Sequence, residues 1–305
     1  MKVAALDLGS NTSLLLIADV EGGQIKRVIH DETRVTKLGQ GVHTQRKFHP
    51  EALERMRACL TEYSAVIKVM GCENVVAVAT SAARDVSNGH ELIEMGQRLA
   101  IPIHIISGER EAQLTFRGAL CDRSTTERIA VIDVGGGSTE IISESEGVAR
   151  GTSVDVGSVR LTELFVKNHP VPADQRARVR DYVQNAFKKA PLPQGPFNEV
   201  VAVAGTPTTL AAVEQAIEFD ERRVHGYKLS LPIIESWIER LSQMTIEQRE
   251  ALPGMQPKRA DVIVTGAEIL AEAIRTLGRL EVTVSTRGVR YGVALAWQDF
   301  LRGER

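Results

Sequence analysis

The sequence has 305 residues, of which 43% are hydrophobic, 25% charged and 4% aromatic, and its formal net charge is −2. This length and hydrophobic share predict a globular protein with two domains and sizeable cores. So few aromatic side chains argue against a stacking platform for nucleic-acid bases. A sequence pI near 6.4 excludes a general basic field, so any attraction of a polyanion must be local. We therefore expect no nucleic-acid partner.

The chain also lacks the marks of export and membrane insertion. Only four apolar residues stand between the initial Met-Lys and Asp7, too few for a signal peptide. No apolar run approaches the ~18 residues that a membrane span requires. Cys59, Cys72 and Cys121 are odd in number and widely spaced, which is typical of reduced thiols. We expect a cytoplasmic protein without a membrane partner.

The first half of the chain opens with an apolar strand, Val3 to Leu6, and the motif Asp7-Leu8-Gly9-Ser10-Asn11-Thr12. Two further strands, 14–18 and 25–29, predict a meander, followed by a polar glycine-containing loop over 34–41. Pro50 starts a helix predicted to run to about Met70, with an apolar face at helical spacing.

Two later segments of this half carry candidate site residues. A buried strand over 75–80 places Arg84 just past its end, where α/β folds bind ligands, although a lone arginine is more often a surface residue. A helix near 91–99 and a strand over 101–106 lead to Ser107, which predicts a helix cap. Local sequence favours first-turn capping over catalysis for both Glu109 and Glu111. The loop 122–127 marks the domain boundary, giving domains 1–123 and 124–305, with a last helix that could pack back on the first.

The second half opens with the densest polar motif, Asp133 to Glu140, which contains Gly135, Gly136, Gly137 and Ser138. Apolar runs on both sides predict strands, so the glycines turn a hairpin and match neither a Rossmann nor a Walker loop. Backbone N–H groups of such a hairpin can converge on an anion. Asp133 and Glu140 would repel a polyanion unless a divalent cation such as Mg²⁺ bridges them to phosphate. The alternative is a plain glycine hairpin with an Asp at a strand end.

This motif and its flanking strands repeat the pattern of Asp7 to Thr12, with turns at 21–23 and 146–147. A repeat of this length indicates a duplicated domain, because solenoid periods are much shorter. We therefore predict two similar lobes that each present a hairpin to a shared cleft.

The rest of the second half predicts helices and strands in alternation, with one more phosphate candidate. Gly205 leads into a helix start with Thr206 as the cap and Pro207 at the first helical position, which suits either an anion site or a capped surface helix. The predicted elements are helices over 160–166, 173–189, 232–242, 258–277 and 288–301, strands over 151–156, 199–204 and 281–285, and a short loop or strand at 224–227. Candidate cations are Arg222, Arg223, Lys258, Arg259, Arg287 and Arg290.

Taken together, these segments resemble the exopolyphosphatase and guanosine pentaphosphate phosphohydrolase family, within the actin, Hsp70 and sugar kinase fold group. The resemblance covers essentially the whole chain, including Thr80 to Asp85, Ser107 to Ala112, Arg259 to Ile263 and Val284 to Gly292. It implies an α/β protein of two duplicated actin-like, ribonuclease H-like lobes. Each lobe would be a mixed five-stranded sheet flanked by helices, with an interdomain cleft.

The resemblance also implies a mechanism: Mg²⁺-dependent, processive hydrolysis of the terminal phosphate of inorganic polyphosphate. Glu111 would activate water and Arg84 would contact phosphate. The implied metal ligands, for Mg²⁺ or Mn²⁺, are Asp133, Glu140 and Asp7. The implied phosphate-binding residues are Gly9, Ser10, Asn11, Thr12, Gly135, Gly136, Gly137, Ser138, Gly205 and Thr206. A homodimer is expected.

Two departures from the family pattern bear on these expectations. Thr286 and Tyr291 stand where acidic residues are expected, and the sequence ends at Arg305 without the additional helical domain of longer members. The latter favours shorter polyphosphate, a nucleotide, or a channel completed by a dimer partner. Guanosine pentaphosphate hydrolysis is the leading alternative function, followed by a non-catalytic alarmone sensor or an actin-fold kinase.

Overall fold

The computed structural model of the chain describes residues 1–123, 127–145, 147–256 and 258–303. The chain folds into two compact units, one of residues 1–123 with 287–305 and one of residues 124–286. Residues 287–305, assigned to the second lobe from sequence, are thus part of the first unit. Residues 124–126 of the predicted boundary loop, Glu146 of the second turn and Pro257 lie outside the described residues.

Both units begin with a three-stranded meander and continue through helices and further strands. In the first unit these are β1 (Lys2–Leu8), β2 (Thr12–Glu21), β3 (Gln24–Val35), α1 (Val42–Gln45), α2 (Pro50–Val69), β4 (Asn74–Ala79), α3 (Ser81–Arg84), α4 (His90–Arg98), β5 (Ile103–Ile105) and α5 (Gly108–Ala119). In the second they are β6 (Ile129–Val134), β7 (Thr139–Ser145), β8 (Val148–Val154), α6 (Ser158–Phe165), α7 (Ala173–Lys189), β9 (Glu199–Val203), α8 (Gly205–Glu214), α9 (Glu221–Val224), β10 (Lys228–Ser230), α10 (Leu231–Ser242), α11 (Ile246–Glu250), α12 (Ile263–Thr276) and β11 (Glu281–Val284). The chain then returns to the first unit with α13 (Val289–Leu295) and α14 (Trp297–Leu301).

The two sheets have the same strand order, which confirms the predicted duplication. The first runs β3-β2-β1-β4-β5 and the second runs β8-β7-β6-β9-β11-β10. In both, an antiparallel meander is followed by strands parallel to its first strand. The prediction of five strands is right for the first sheet and wrong for the second, because β10 adds an antiparallel edge strand. At three residues, β10 is too short to produce a recognisable alternation.

The first sheet is covered on both faces, as the alternation of β1 shows. Ala4, Leu6 and Leu8 belong to a core cluster shared with α2 and α4. Val3 and Ala5 point to the opposite face, where they join a cluster shared with α13 and α14. Successive side chains of a strand alternate between faces, so a continuous apolar run is what a sheet buried on both sides requires.

Most predicted boundaries differ from the structure by a few residues, and three of the differences concern the elements of the second half. Helix α12 begins at Ile263 and not at Lys258, and Lys258 itself has a left-handed φ of 61° that a helix does not accept. The predicted last helix is two helices that separate at Ala296. The third strand of the second meander is Val148–Val154, earlier than predicted. No described helix is both long and apolar enough to cross a lipid bilayer.

Candidate active site

The predicted site residues of the first unit lie at one edge of its sheet. Strands β1, β4 and β5 are parallel neighbours, so their carboxyl ends meet at the same edge. The hairpin 9–11 follows β1, α3 with Arg84 follows β4, and α5 with Glu111 follows β5. Ligands of α/β folds bind at such an edge.

The first glycine hairpin leaves amide groups available for an anion. The Gly9 N–H donates to the Thr12 carbonyl at 2.9 Å. The Ser10 and Asn11 carbonyls accept from amides of loop 36–39 at 2.7–3.1 Å. The N–H groups of Ser10 and Asn11 donate to no acceptor among the described residues. Because the loop amides already bind the carbonyl oxygens of the hairpin, the hairpin offers its N–H groups to a ligand, as binding of an oxyanion requires.

Buried polar atoms beside this hairpin also lack partners. Asp7 Oδ1 and both side-chain amide atoms of Asn11 are buried without a hydrogen bond to any described residue. Burial raises the pKa of Asp7 to about 7, and the positive charge of Arg290 partly opposes that rise. Unmet buried polar atoms cost about 1–3 kcal/mol each, so they are expected where a ligand, metal or water binds.

Glu111 lies buried in the first turn of α5, 6% exposed, while Ser107 caps this helix as predicted. The Ser107 hydroxyl accepts from the Arg110 N–H at 3.1 Å, so the cap needs no carboxylate from Glu111. Arg84 Nη1 instead donates to Glu111 Oε2 at 2.7 Å and to the Ile106 carbonyl at 3.0 Å. The structure thus joins the predicted base and the predicted phosphate-binding arginine in one ion pair.

Helix α5 is held in place by backbone-to-backbone packing against α13. A Cβ atom on Gly118 would lie 2.1 Å from the Gly288 carbonyl oxygen, and one on Gly292 would lie 1.9 Å from the Leu114 carbonyl oxygen. Only glycine permits such an approach. Two glycines therefore fix the helix that carries Glu111.

The second glycine hairpin repeats the design with a helix in place of the loop. The Gly135 N–H donates to the Ser138 carbonyl at 3.0 Å. The first amides of α6 donate to the Gly135 and Gly136 carbonyls at 2.9–3.0 Å, and Arg160 Nε donates to the Gly137 carbonyl at 2.7 Å. The N–H groups of Gly136, Gly137 and Ser138 have no acceptor among the described residues.

Asp133 and Glu140 face each other across β6 and β7 as register partners, and both are buried. Glu140 Oε1 accepts from Ser138 Oγ at 2.8 Å and from Ser153 Oγ at 2.6 Å. The described residues contain no group of three or more His, Cys, Asp or Glu side chains suited to a metal. Two carboxylates on one sheet face still fit Mg²⁺, which uses one or two carboxylates together with substrate phosphates and water.

At the third predicted element, Thr206 is not the helix cap. Helix α8 begins at Gly205, so the capping position falls on Ala204, which has a left-handed φ of 74°. Thr206 is buried against Gly266 of α12. The Arg259 guanidinium covers the Gly205 Cα so closely that no Cβ would fit. Burial lowers the pKa of Arg259 to about 10, and Asp261 partly opposes this.

Thr286 and Tyr291, which stand where the family pattern has acidic residues, are both held by hydrogen bonds. The Thr286 hydroxyl donates to Glu221 at 3.2 Å, and the Thr286 N–H donates to His225 Nδ1 at 3.2 Å. The Tyr291 hydroxyl donates to Asp31 Oδ2 at 3.2 Å. Two of the candidate cations are likewise paired: Arg290 with Asp31 at 2.9 Å, and Arg287 with Asp122 at 3.1 Å.

Sequence reasoning missed the residues that pack against the two hairpins and fix their shape. A Cβ on Gly39 would lie 2.8 Å from Ser10 Cβ, and one on Gly157 would lie 2.3 Å from the Gly136 carbonyl oxygen. Arg160 belongs to the same group. A glycine that follows the meander in both halves is the repeated pattern that could have identified them.

Comparisons with known proteins agree with this architecture. Exopolyphosphatase 2 of Mycobacterium tuberculosis is 38% identical over 314 residues, covering 97% of this chain and 98% of the relative. The crystal structure of an exopolyphosphatase-like protein has a TM-score of 0.91 at 29% identity, covering 99% of this chain and 100% of the other. The crystal structure of the Aquifex aeolicus Ppx/GppA family member has a TM-score of 0.81 at 28% identity, covering 100% and 99%.

The sequence model of the Ppx/GppA phosphatase family matches residues 16–300. That range includes the second hairpin, α5 with Glu111, and α13. The chain therefore belongs to the Ppx/GppA phosphatase family.

Proposed function

We propose that this protein is a Mg²⁺-dependent exopolyphosphatase that removes terminal phosphate processively from inorganic polyphosphate, with Glu111 as the general base. The observation that carries the proposal is the ion pair of buried Glu111 with partly exposed Arg84, at the sheet edge that also bears the first glycine hairpin. The likeness to Exopolyphosphatase 2 of Mycobacterium tuberculosis supports the substrate class.

The proposed chemistry divides between positioning and proton removal. The amides of Ser10 and Asn11 in one unit, and of Gly136 and Gly137 in the other, bind phosphoryl oxygens. Arg84 shifts part of its hydrogen bonding from Glu111 to the terminal phosphoryl group. Glu111 then accepts a proton from the water that attacks phosphorus, and the P–O bond to the next phosphate breaks. Phosphoryl transfer has a loose transition state, so charge neutralisation and alignment dominate, and a base adds about 10²–10⁴ in rate.

Mg²⁺, or Mn²⁺ in its place, would be held by Asp133 and Glu140 in the second unit, and Asp7 is the proposed metal ligand of the first unit. Such an ion neutralises phosphate charge. The two hydroxyls on Glu140 Oε1 fix the orientation of that carboxylate. The unmet Asp7 Oδ1 is the oxygen in the first unit best suited to a cation or its water shell.

Glu111→Gln tests the proposal, because the amide keeps the shape of the side chain but cannot accept the proton. We expect phosphate release from polyphosphate to fall about 10²- to 10⁴-fold while substrate affinity is retained. Glu109→Gln, an exposed neighbour in the same helical turn, is the matched control and should leave the rate unchanged. Near-normal turnover by Glu111→Gln would overturn the mechanism.

Guanosine pentaphosphate is the second candidate substrate, because the family that the sequence resembles is named for both exopolyphosphatase and guanosine pentaphosphate phosphohydrolase. The same general base and the same two glycine hairpins would act on this substrate, since the bond that breaks is again a terminal phosphoanhydride. Phosphate release from polyphosphate and from guanosine pentaphosphate, measured side by side with Mg²⁺ and with a chelator, decides between them. A higher kcat/KM for the nucleotide would reassign the substrate without changing the chemistry.

A further inference from the structure

A pair of serine hydroxyls stands at the edge of the first sheet. Ser10 follows β1 and Ser81 opens α3 after β4, and the register of these parallel strands pairs Leu8 with Ala79. The two Oγ atoms are 3.1 Å apart and hydrogen-bonded. Both residues are more than nine-tenths buried, at 6% and 7% exposed.

The pair has one more donor than it can use. Each hydroxyl carries one proton, and a bond between two hydroxyls consumes only one of them. Neither serine has another side-chain partner among the described residues, so one buried O–H lacks an acceptor. A buried donor without an acceptor is costly, which indicates that a ligand supplies one.

The same place has several further unmet donors. The backbone N–H groups of Ser10 and Asn11 have no acceptor among the described residues. The side-chain amide of Asn11, which is 5% exposed, is also unpartnered. A water molecule has two lone pairs and brings two donors of its own, whereas a phosphoryl oxygen anion brings acceptors alone. These donors outnumber the two unmet acceptors beside them, Asp7 Oδ1 and Asn11 Oδ1, and an excess of donors favours an anion.

We propose that Ser81 is a substrate-binding residue, and that its hydroxyl and that of Ser10 together bind one phosphoryl oxygen of the polyphosphate chain. One hydroxyl donates to the oxygen while the other orients it, and the Ser10 and Asn11 amides bind the same phosphate. The inference rests on the proposed function. The phosphate-binding site of the first unit would then be formed by the ends of two neighbouring strands and not by the glycine hairpin alone.

The test is calorimetric titration with tripolyphosphate in the Glu111→Gln protein, where turnover does not interfere. Hydrogen bonds to charged groups contribute about 1.5–3 kcal/mol, so Ser81→Ala should weaken affinity roughly 10- to 100-fold, and Ser10→Ala similarly. The double variant should lose much less than the product of the two losses, because each hydroxyl depends on the other. Ser64→Ala is the matched control: this buried serine of the same unit bonds to the Leu99 carbonyl at 3.0 Å, and affinity should not change.

The outcomes separate the two claims. Unchanged affinity in Ser81→Ala, with the fold verified by circular dichroism, overturns the inference and leaves the proposed function standing. If the loss of affinity in the double variant equals the product of the two single losses, the claim that both hydroxyls bind the same phosphoryl oxygen is overturned. Absence of any tripolyphosphate binding by the Glu111→Gln protein overturns the proposed function and this inference with it. Ser81→Cys, whose thiol is a weak donor, is a second variant expected to lose the same affinity.

Discussion

Asp7 is a carboxyl group that the first unit buries beside its glycine hairpin. Because burial raises its pKa from 3.8 to about 7, the folded protein binds a proton that the unfolded chain releases. Its protonated form supports stability fully below pH ~4, and that support is lost as pH rises through about 7. At ~1.4 kcal/mol for each pH unit, the loss has an upper limit of about 4 kcal/mol. We expect the unfolding midpoint of the metal-free protein to fall over this interval.

Asp7→Asn is the comparison for this prediction, since an amide does not titrate. The midpoint difference between Asp7→Asn and the parent protein should grow from pH 4 to pH 7 in the presence of a chelator. Adding Mg²⁺ at pH 7 should shrink it, because a cation stabilises the ionised carboxylate. Parallel pH profiles for the two proteins would contradict the burial argument.

Residue roles were predictable from sequence where a local rule governs them. Ser107 is the cap that its position predicts. Glu109 and Glu111 stand in the same helical turn, and no local rule tells which of them is buried. The fold decides it, because Glu111 faces Arg84, which is distant in sequence. The family resemblance implied a role for each of Glu111 and Arg84, but only the tertiary structure shows that they are in contact.

Helix α5 gives a prediction in which two effects of one substitution oppose each other. Replacing glycine with alanine inside a helix is ordinarily favourable by about 1 kcal/mol. In Gly118→Ala the new Cβ would meet the Gly288 carbonyl oxygen at 2.1 Å, so α5 and α13 must separate. Overpacking costs typically ~1–3 kcal/mol, so we expect net destabilisation in chemical denaturation and reduced turnover, since Glu111 moves with the helix.

Arg117→Ala, at the exposed neighbouring position, is the control for helix propensity and should be neutral or slightly stabilising. A gain of stability in Gly118→Ala would mean that the two helices have room to spare.

Helix α6 positions the second hairpin, and Arg160 is its most specific contact. Arg160→Met removes the donor to the Gly137 carbonyl while keeping an apolar stem. We expect KM for polyphosphate to rise roughly 5- to 100-fold with a smaller change in kcat, since a charged hydrogen bond of ~1–3 kcal/mol is lost that orients the hairpin and not the proposed base. Arg178→Met, an exposed arginine of the same unit, should leave both constants unchanged. A fall in kcat of that size with KM unchanged would contradict a role in positioning the second hairpin.

Elements were predictable to the extent that their apolar pattern is long. Helix α7 has the predicted bounds because its seventeen residues carry a sustained period. Strand β10 and the break at Ala296 involve too few residues for any periodicity to register. The start of α12 was missed because Lys258 adopts a left-handed conformation that its residue type rarely takes.

The whole molecule is a duplicated architecture whose first unit is discontinuous in sequence. A chain ending at residue 286 would lack α13 and α14. The cluster on that face of the first sheet would then lose Val293, Trp297 and Phe300. We expect such a chain to lose the cooperative unfolding of the first unit and to expose it to proteolysis, while the second unit remains resistant.

A chain ending at Leu301 is the control, because Arg302 and Gly303, the described residues after it, are not members of that cluster. Full protease resistance of the shorter chain would show that the first unit does not need its carboxyl-terminal helices.

At this scale the repeat was visible in the sequence, which left open whether the last helix packs back on the first domain. Asp7 to Thr12 and Asp133 to Glu140 open equivalent meanders, so the duplication follows from their similarity. Whether a last amphipathic segment covers its own sheet or an earlier one depends on three-dimensional packing. The glycines that let α13 pack beside α5 do not indicate from sequence alone which helices come together.

The placement of α13 and α14 also sets an order of events at the ribosome. The second unit is one continuous stretch and has its full complement of core residues as soon as residue 286 has left the exit tunnel. The first unit, although made earlier, has one sheet face uncovered until residues 289–301 have also left the tunnel. Folding therefore finishes in the opposite order to synthesis, and the nascent amino-terminal half is where chaperones would find their longest-lived substrate.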